Sequence, residues 1–111
     1  MEVVKPQEQI QAEFERAEQA RARGNEGQAR VCARRAAGIA AREYLIQRGK
    51  SIRTPNAYDA LNLLAGDSSL SAELRQIAGH LTLRVDEEFK LPPEMDLIME
   101  ARKLCEELLS Q

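Results

Sequence analysis

The sequence predicts an all-α fold, an up-and-down antiparallel bundle of about five helices. Three observations carry that expectation. Ala, Leu, Glu, Arg and Gln are the commonest residues, and all favour helix. Aromatic side chains make up only 4% of the chain and Trp is absent, which disfavours a β-sandwich. Apolar residues recur at three- and four-residue intervals, and no strand-like alternation competes with them. With 43% hydrophobic residues and a net charge of only −2, the chain has the apolar content for a packed core. Its 111 residues suit one core, so residues 1–111 are read as a single domain.

The first helix is expected from about Gln7 to Ala22, after Pro6. Ile10, Phe14 and Ala17 form its inner stripe, with Glu13, Glu15 and Glu18 outside it. Gly24 suits the left-handed residue that ends such a helix. The second helix is expected over about Glu26 to Arg48. Its large apolar residues Val31, Ile39 and Ile46 share one face; Ala29, Ala33, Ala36, Ala37, Ala40 and Tyr44 share another. A helix apolar on two faces is expected at the centre of a bundle, packed from both sides.

Thr54-Pro55 reads as an N-cap and first-turn proline for a short third helix. That helix should stop at Gly66, with Ala57, Leu61 and Leu64 on one face. Asp67, Ser68 and Ser69 offer caps for a fourth helix, whose stripe is Leu70, Leu74, Ile77, Leu81 and Val85. Gly79 weakens it by about 1 kcal/mol relative to alanine. Pro92-Pro93 breaks the chain and precedes a fifth helix with Leu97, Ala101, Leu104 and Leu108 inward.

The small net charge hides a strong division. Residues 1–15 carry net −3, residues 16–53 net +7 and residues 54–111 net −6. The basic block is therefore expected to meet something acidic, most simply the C-terminal half of its own chain or of a twin. Pairing of the second-helix arginines with Glu87, Glu88, Glu94 or Asp96 is the plain structural form of this expectation. Arg35 and Arg42 sit near the Val/Ile face, an odd place for charge. Their functional reading is a binding groove for phosphate or nucleotide.

Several function classes find no support. Gly-rich phosphate loops, nucleophile elbows, zinc-protease motifs and calcium loops are all absent from the sequence. A single His excludes a metal centre built on several His ligands, and a carboxylate cluster, possible with abundant Glu, has no ExxH pattern to support it; the expectation is no metal and no cofactor. Cys32 and Cys105 lie far apart without metal-ligand spacing, and read as free thiols rather than a disulfide. The longest small-apolar run, Ala36 to Ala41, falls far short of the ~20 residues of a membrane helix. Met1 to Pro6 lacks the start of a signal peptide. The expectation is a cytoplasmic protein without membrane contact.

One pair could do chemistry. Arg75 and His80 form an Arg-x4-His arrangement in which His moves a proton at a ribose hydroxyl and Arg holds the phosphate. Against this, the chain has twelve arginines, so one at such an offset is unsurprising. On a continuous helix, residues five apart point about 140° away from each other. Convergence would need a break at Gly79 or a second subunit.

From helix four onward, Ile77-Ala78-Gly79-His80-Leu81, Leu91-Pro92-Pro93-Glu94, Asp96-Leu97-Ile98, Ala101-Arg102 and Leu104-Cys105-Glu106-Glu107-Leu108 resemble the C-terminal half of HEPN-type helical domains. Ala29 to Ala37 through Tyr44-Leu45 is similar to that group's long second helix. The resemblance implies an up-and-down bundle, commonly dimeric, with links to nucleotide or RNA biology. Some members are ribonucleases with Arg-x4–6-His; others are inactive partners of small nucleotidyltransferases. Here Gln76 follows Arg75, where active members often carry Asn or another polar residue, a loose fit, and Phe89-Lys90-Leu91-Pro92 stands in place of the aromatic and Arg-Tyr-Pro features that many members carry. The leading expectation is thus a non-catalytic, HEPN-like interaction module and homodimer. It would partner a nucleotidyltransferase or belong to a toxin–antitoxin pair.

Two alternatives stand beside it. One is a metal-independent ribonuclease using Arg75 and His80. The other is a helical peptide-binding adaptor. Gly24…Ala29…Ala33…Ala36…Ala40…Tyr44 resembles a tetratricopeptide helix pair, although residues 54–111 hold no second copy. An adaptor would need an exposed apolar groove beside the Ala33–Tyr44 face.

Overall fold

Five helices form in the expected order in a computed structural model that describes residues 5–49, 56–82 and 96–110. They are α1 (Pro6–Ala22), α2 (Glu26–Gln47), α3 (Ala57–Ala65), α4 (Ala72–Thr82) and α5 (Leu97–Leu109). No strand occurs among the described residues. The chain is a helical bundle in which α2 packs against α1, α3 and α5, while α4 rests on α3 and α5.

Small side chains explain why α2 holds the centre. Ala29, Ala33, Ala36, Ala37, Ala40 and Ala41 are wholly buried, and α1 contributes Ala17 and Ala20 in the same state. Helix separation follows the side chains at the contact, so an alanine seam brings the axes close. Larger residues close the core from the outer helices: Leu61 and Leu64 of α3, Leu81 of α4 and Leu104 of α5. At Gly38 the approach is closer still. A Cβ there would lie 2.8 Å from Ala57 Cα, and nearer to Ala57 Cβ, so the first residue of α3 rests on the bare backbone of α2.

The helix ends follow local chemistry. Gly24 adopts φ 77° after α1, the left-handed conformation expected of it. Asn25 caps α2, its side chain accepting from Gln28 N at 3.1 Å. The α3 cap is Asn56, which accepts from Tyr58 N at 2.9 Å; the Thr54-Pro55 expectation lies outside the described residues. Ser71, rather than Asp67 to Ser69, serves the start of α4 by accepting from Leu74 N at 3.2 Å. Asp67 instead closes its own turn, accepting from Ser69 N at 2.9 Å. Leu70 is buried just ahead of α4, while Val85 and Pro92-Pro93 fall outside the described residues.

Asp96 does double duty at the start of α5. Its carboxylate accepts from Ile98 N and Met99 N at 3.1 and 3.2 Å, and meets Arg21 of α1 at 3.1 Å. Arg21 also holds Glu26 at 2.8 Å, so one guanidinium ties three helices together. Burial alone would push the Asp96 carboxyl up, but the Met99 and Ile98 amides and Arg21 outweigh it and hold it low. Hydrogen bonds from Arg21 hold Glu26 low as well. A carboxylate depressed in the folded state stabilises above its unfolded value and loses that contribution as pH falls. The contribution of these two carboxylates is therefore expected to be constant above about pH 5 and to be lost below about pH 4. Asp96→Asn keeps a capping side chain but removes the charge, so its melting temperature, followed by circular dichroism, should fall less steeply with acid. Parallel acid limbs for the two proteins would contradict this role.

Two further sequence expectations are corrected. Glu13 is buried at 7% exposure, on the inner side of α1 rather than outside it, with Arg16 reaching in at 2.7 Å to neutralise it. The second correction concerns α2. Its alanine face lies in the core as expected, but among the described residues the Val/Ile face is not packed from the other side. Val31 and Ile39 are half-buried, and Ile46 is 46% exposed.

Candidate functional site

That face forms the floor of a groove of about 550 Å³ in volume. Val31, Ile39 and Ile46 line it along α2, with Pro6, Gln9 and Glu13 of α1 on one side. The start of α3, Asn56 to Tyr58, forms the other side. Positions 31 to 46 span about 22 Å along a helix axis. The groove is therefore long and shallow, the proportions of a site for a chain segment rather than an enclosed small-molecule pocket.

Arg35 and Arg42 both line this groove, and both are exposed. Seven residues apart, they stand two turns from each other, about 10 Å along α2. Neither makes an ion pair among the described residues. Glu43 stands beside Arg42 on the same wall. The expected partner Asp96 is engaged by Arg21 of α1 instead. Glu87, Glu88 and Glu94 lie outside the described residues.

Arg34, one position away, has a different task. Its Nε donates to Leu81 O at 2.7 Å, at the end of α4, where carbonyls lack partners within the helix. The same guanidinium lies 4.7 Å from the centre of the Tyr58 ring. Arg34 thus joins α2, α3 and α4, a role no sequence pattern announced. Arg34→Ala is expected to cost about 1.5–3 kcal/mol in urea unfolding, the range for hydrogen bonds to charged groups. Arg34→Lys should recover less than half, because ammonium can neither stack as a plane nor present Nε. A loss below about 0.5 kcal/mol in Arg34→Ala, the level of an ordinary surface substitution, would contradict the assignment.

Arg75 and His80 lie on the same unbroken helix, since α4 continues through Gly79. Their side chains leave it about 140° apart. His80 Nδ1 is 2.8 Å from Glu100 Oε1 of α5, and both side chains are about a quarter exposed. The Nδ1–H donates to the carboxylate when that tautomer is present. Arg75 is half-buried, with its Nε lacking a hydrogen-bond partner among the described residues. His80 is therefore held by a carboxylate across to α5, but α4 does not bring Arg75 round to it. Glu100 was not legible as this partner. Its polar neighbours on α5 offered the same sequence signal while pointing elsewhere.

Other chemistry-bearing groups are accounted for by the fold. Cys32 and Cys105 are free and buried. Burial pushes the Cys105 thiol up to about 12, and the Glu106 charge adds to this. Such a thiol is a poor nucleophile at neutral pH. Among the described residues, no group of three or more His, Cys, Asp or Glu side chains gathers as a metal site. No helix of the described residues is long and apolar enough to cross a membrane.

No family model, curated protein or solved structure matches this chain.

Proposed function

We propose that this chain is a non-catalytic helical interaction module. The observation that carries the reading is the α2 groove, with an apolar floor and two exposed arginines that have no ion-pair partner among the described residues. An aliphatic row left half-exposed beside a well-filled core is a cost unless something covers it. The HEPN resemblance adds a homodimer and a nucleotidyltransferase or toxin–antitoxin partner as parts of the same proposal.

The ribonuclease reading requires Arg75 and His80 to act on one phosphate. Their divergence on an unbroken α4 supports the non-catalytic reading. The test is cleavage of labelled mixed-sequence RNA in EDTA, with wild type beside His80→Ala. The proposal expects the same background from both. Cleavage by wild type that disappears in His80→Ala would overturn it. Light scattering at micromolar concentration reads the dimer, and a clean monomer would remove that part of the proposal.

A further inference from the structure

We infer that the α2 groove takes an amphipathic helix from a partner protein, apolar on the face it buries and acidic at its flanks. This rests on the interaction-module reading and names the class of partner. Floor residues Val31, Ile39 and Ile46 repeat at eight and seven residues along one face of α2. That spacing is two helical turns, and a second helix lying along the groove meets it with apolar residues at the same period. Arg35 and Arg42 stand between the floor residues at the same two-turn interval. Acidic side chains on the incoming helix would find both guanidiniums exposed and without carboxylate partners among the described residues. Complementary charge of this kind sets specificity and register around an apolar centre.

Nucleic acid fits the same surface less well. Binding a phosphate backbone depends on many cations, whereas this groove presents two guanidiniums that are unpaired among the described residues, with Glu43 beside them. Aromatic surface for base stacking is also sparse: Tyr58 is the one aromatic residue lining the groove among the described residues, and Arg34 lies over one face of its ring at 4.7 Å. A second copy in a two-fold arrangement would bring Arg35 and Arg42 toward their own counterparts, placing like charges together.

The test is selection from a displayed library of helix-templated peptides with randomised surface positions. It is run against the full chain as wild type, as R35E/R42E and as Ile39→Asp, each first checked for an unchanged helical spectrum. Wild type should enrich net-acidic peptides with apolar residues seven or eight apart. The double reversal should enrich net-basic ones instead. An acidic peptide chosen by wild type should bind R35E/R42E at least about tenfold more weakly, a modest effect for two charge reversals. Ile39→Asp should lose it.

The inference falls if wild type and R35E/R42E enrich peptides of the same charge, or if Ile39→Asp retains them. It also falls if mixed-sequence RNA displaces the bound peptide, or if a dimer seen by light scattering dissociates in Ile39→Asp. RNA cleavage that depends on His80 would end the interaction-module reading itself. A chain that cleaves nothing but selects peptides without charge bias ends only this inference.

Discussion

Leu104→Ala is expected to lower the unfolding free energy by about 2–5 kcal/mol, the range for truncating a buried leucine. Leu104 is wholly buried, on the face of α5 that also buries Ala101, Cys105 and Leu108. On the same side, the Cys105 thiol is 3.7 Å from Ala36 O, which keeps α5 against the alanine seam of α2. A domain of this size has a total stability of about 5–15 kcal/mol, so the loss is a large fraction of it. The melting temperature should drop by at least about 8 °C, at roughly 4–8 °C per kcal/mol. Urea unfolding gives the free energy directly. A change below about 1 kcal/mol would mean that α5 is not packed as described.

Gly38→Val is the second large effect, and here the sign depends on two opposing terms. Removing a mid-helix glycine stabilises a helix by about 1 kcal/mol when alanine replaces it, and by less for a β-branched residue. Overpacking costs about 1–3 kcal/mol, or more when backbone must move. The new Cβ would stand 2.8 Å from Ala57 Cα, which is backbone and cannot rotate away. The clash should win, with a net loss of about 1–3 kcal/mol for valine and a smaller loss for alanine. Urea unfolding of both variants checks the order. Stabilisation by Gly38→Ala would show that α3 is free to lift from α2, and would contradict this packing.

The helices were legible because their signals are local. Ala17 and Ile10 on α1, or Leu97 to Leu108 on α5, repeat at a period that only a helix satisfies. Gly24 marked its turn for a similarly local reason, the ease of positive φ without a Cβ. Caps were less secure, because Thr54, Asn56, Ser69 and Ser71 all offer suitable oxygens. The backbone, not the residue type, decides which one stands at the helix start.

The faces of α2 mark where sequence reasoning stopped. Its two apolar faces were legible, but not which of them would be covered. The alanine face won because small residues permit close approach by α1 and α5, whereas Val31, Ile39 and Ile46 were left along the groove. Arg35 and Arg42 stood out as charge beside an apolar face, and both line that groove. Arg34 did not stand out, because its partners, Leu81 O and the Tyr58 ring, are far away in sequence. The pairing expected of the basic block is represented by Arg21 and Asp96, on α1 and at the start of α5.

Amide shift mapping by NMR tests the central claim most directly. The isotope-labelled full chain is titrated with an acidic helical peptide enriched on wild type. The expected result is a continuous set of shifts along residues 31–46 of α2 and at Ala57 and Tyr58, with α4 unmoved around Arg75 and His80. Shifts centred on Arg75 and His80, with the α2 groove silent, would contradict the account.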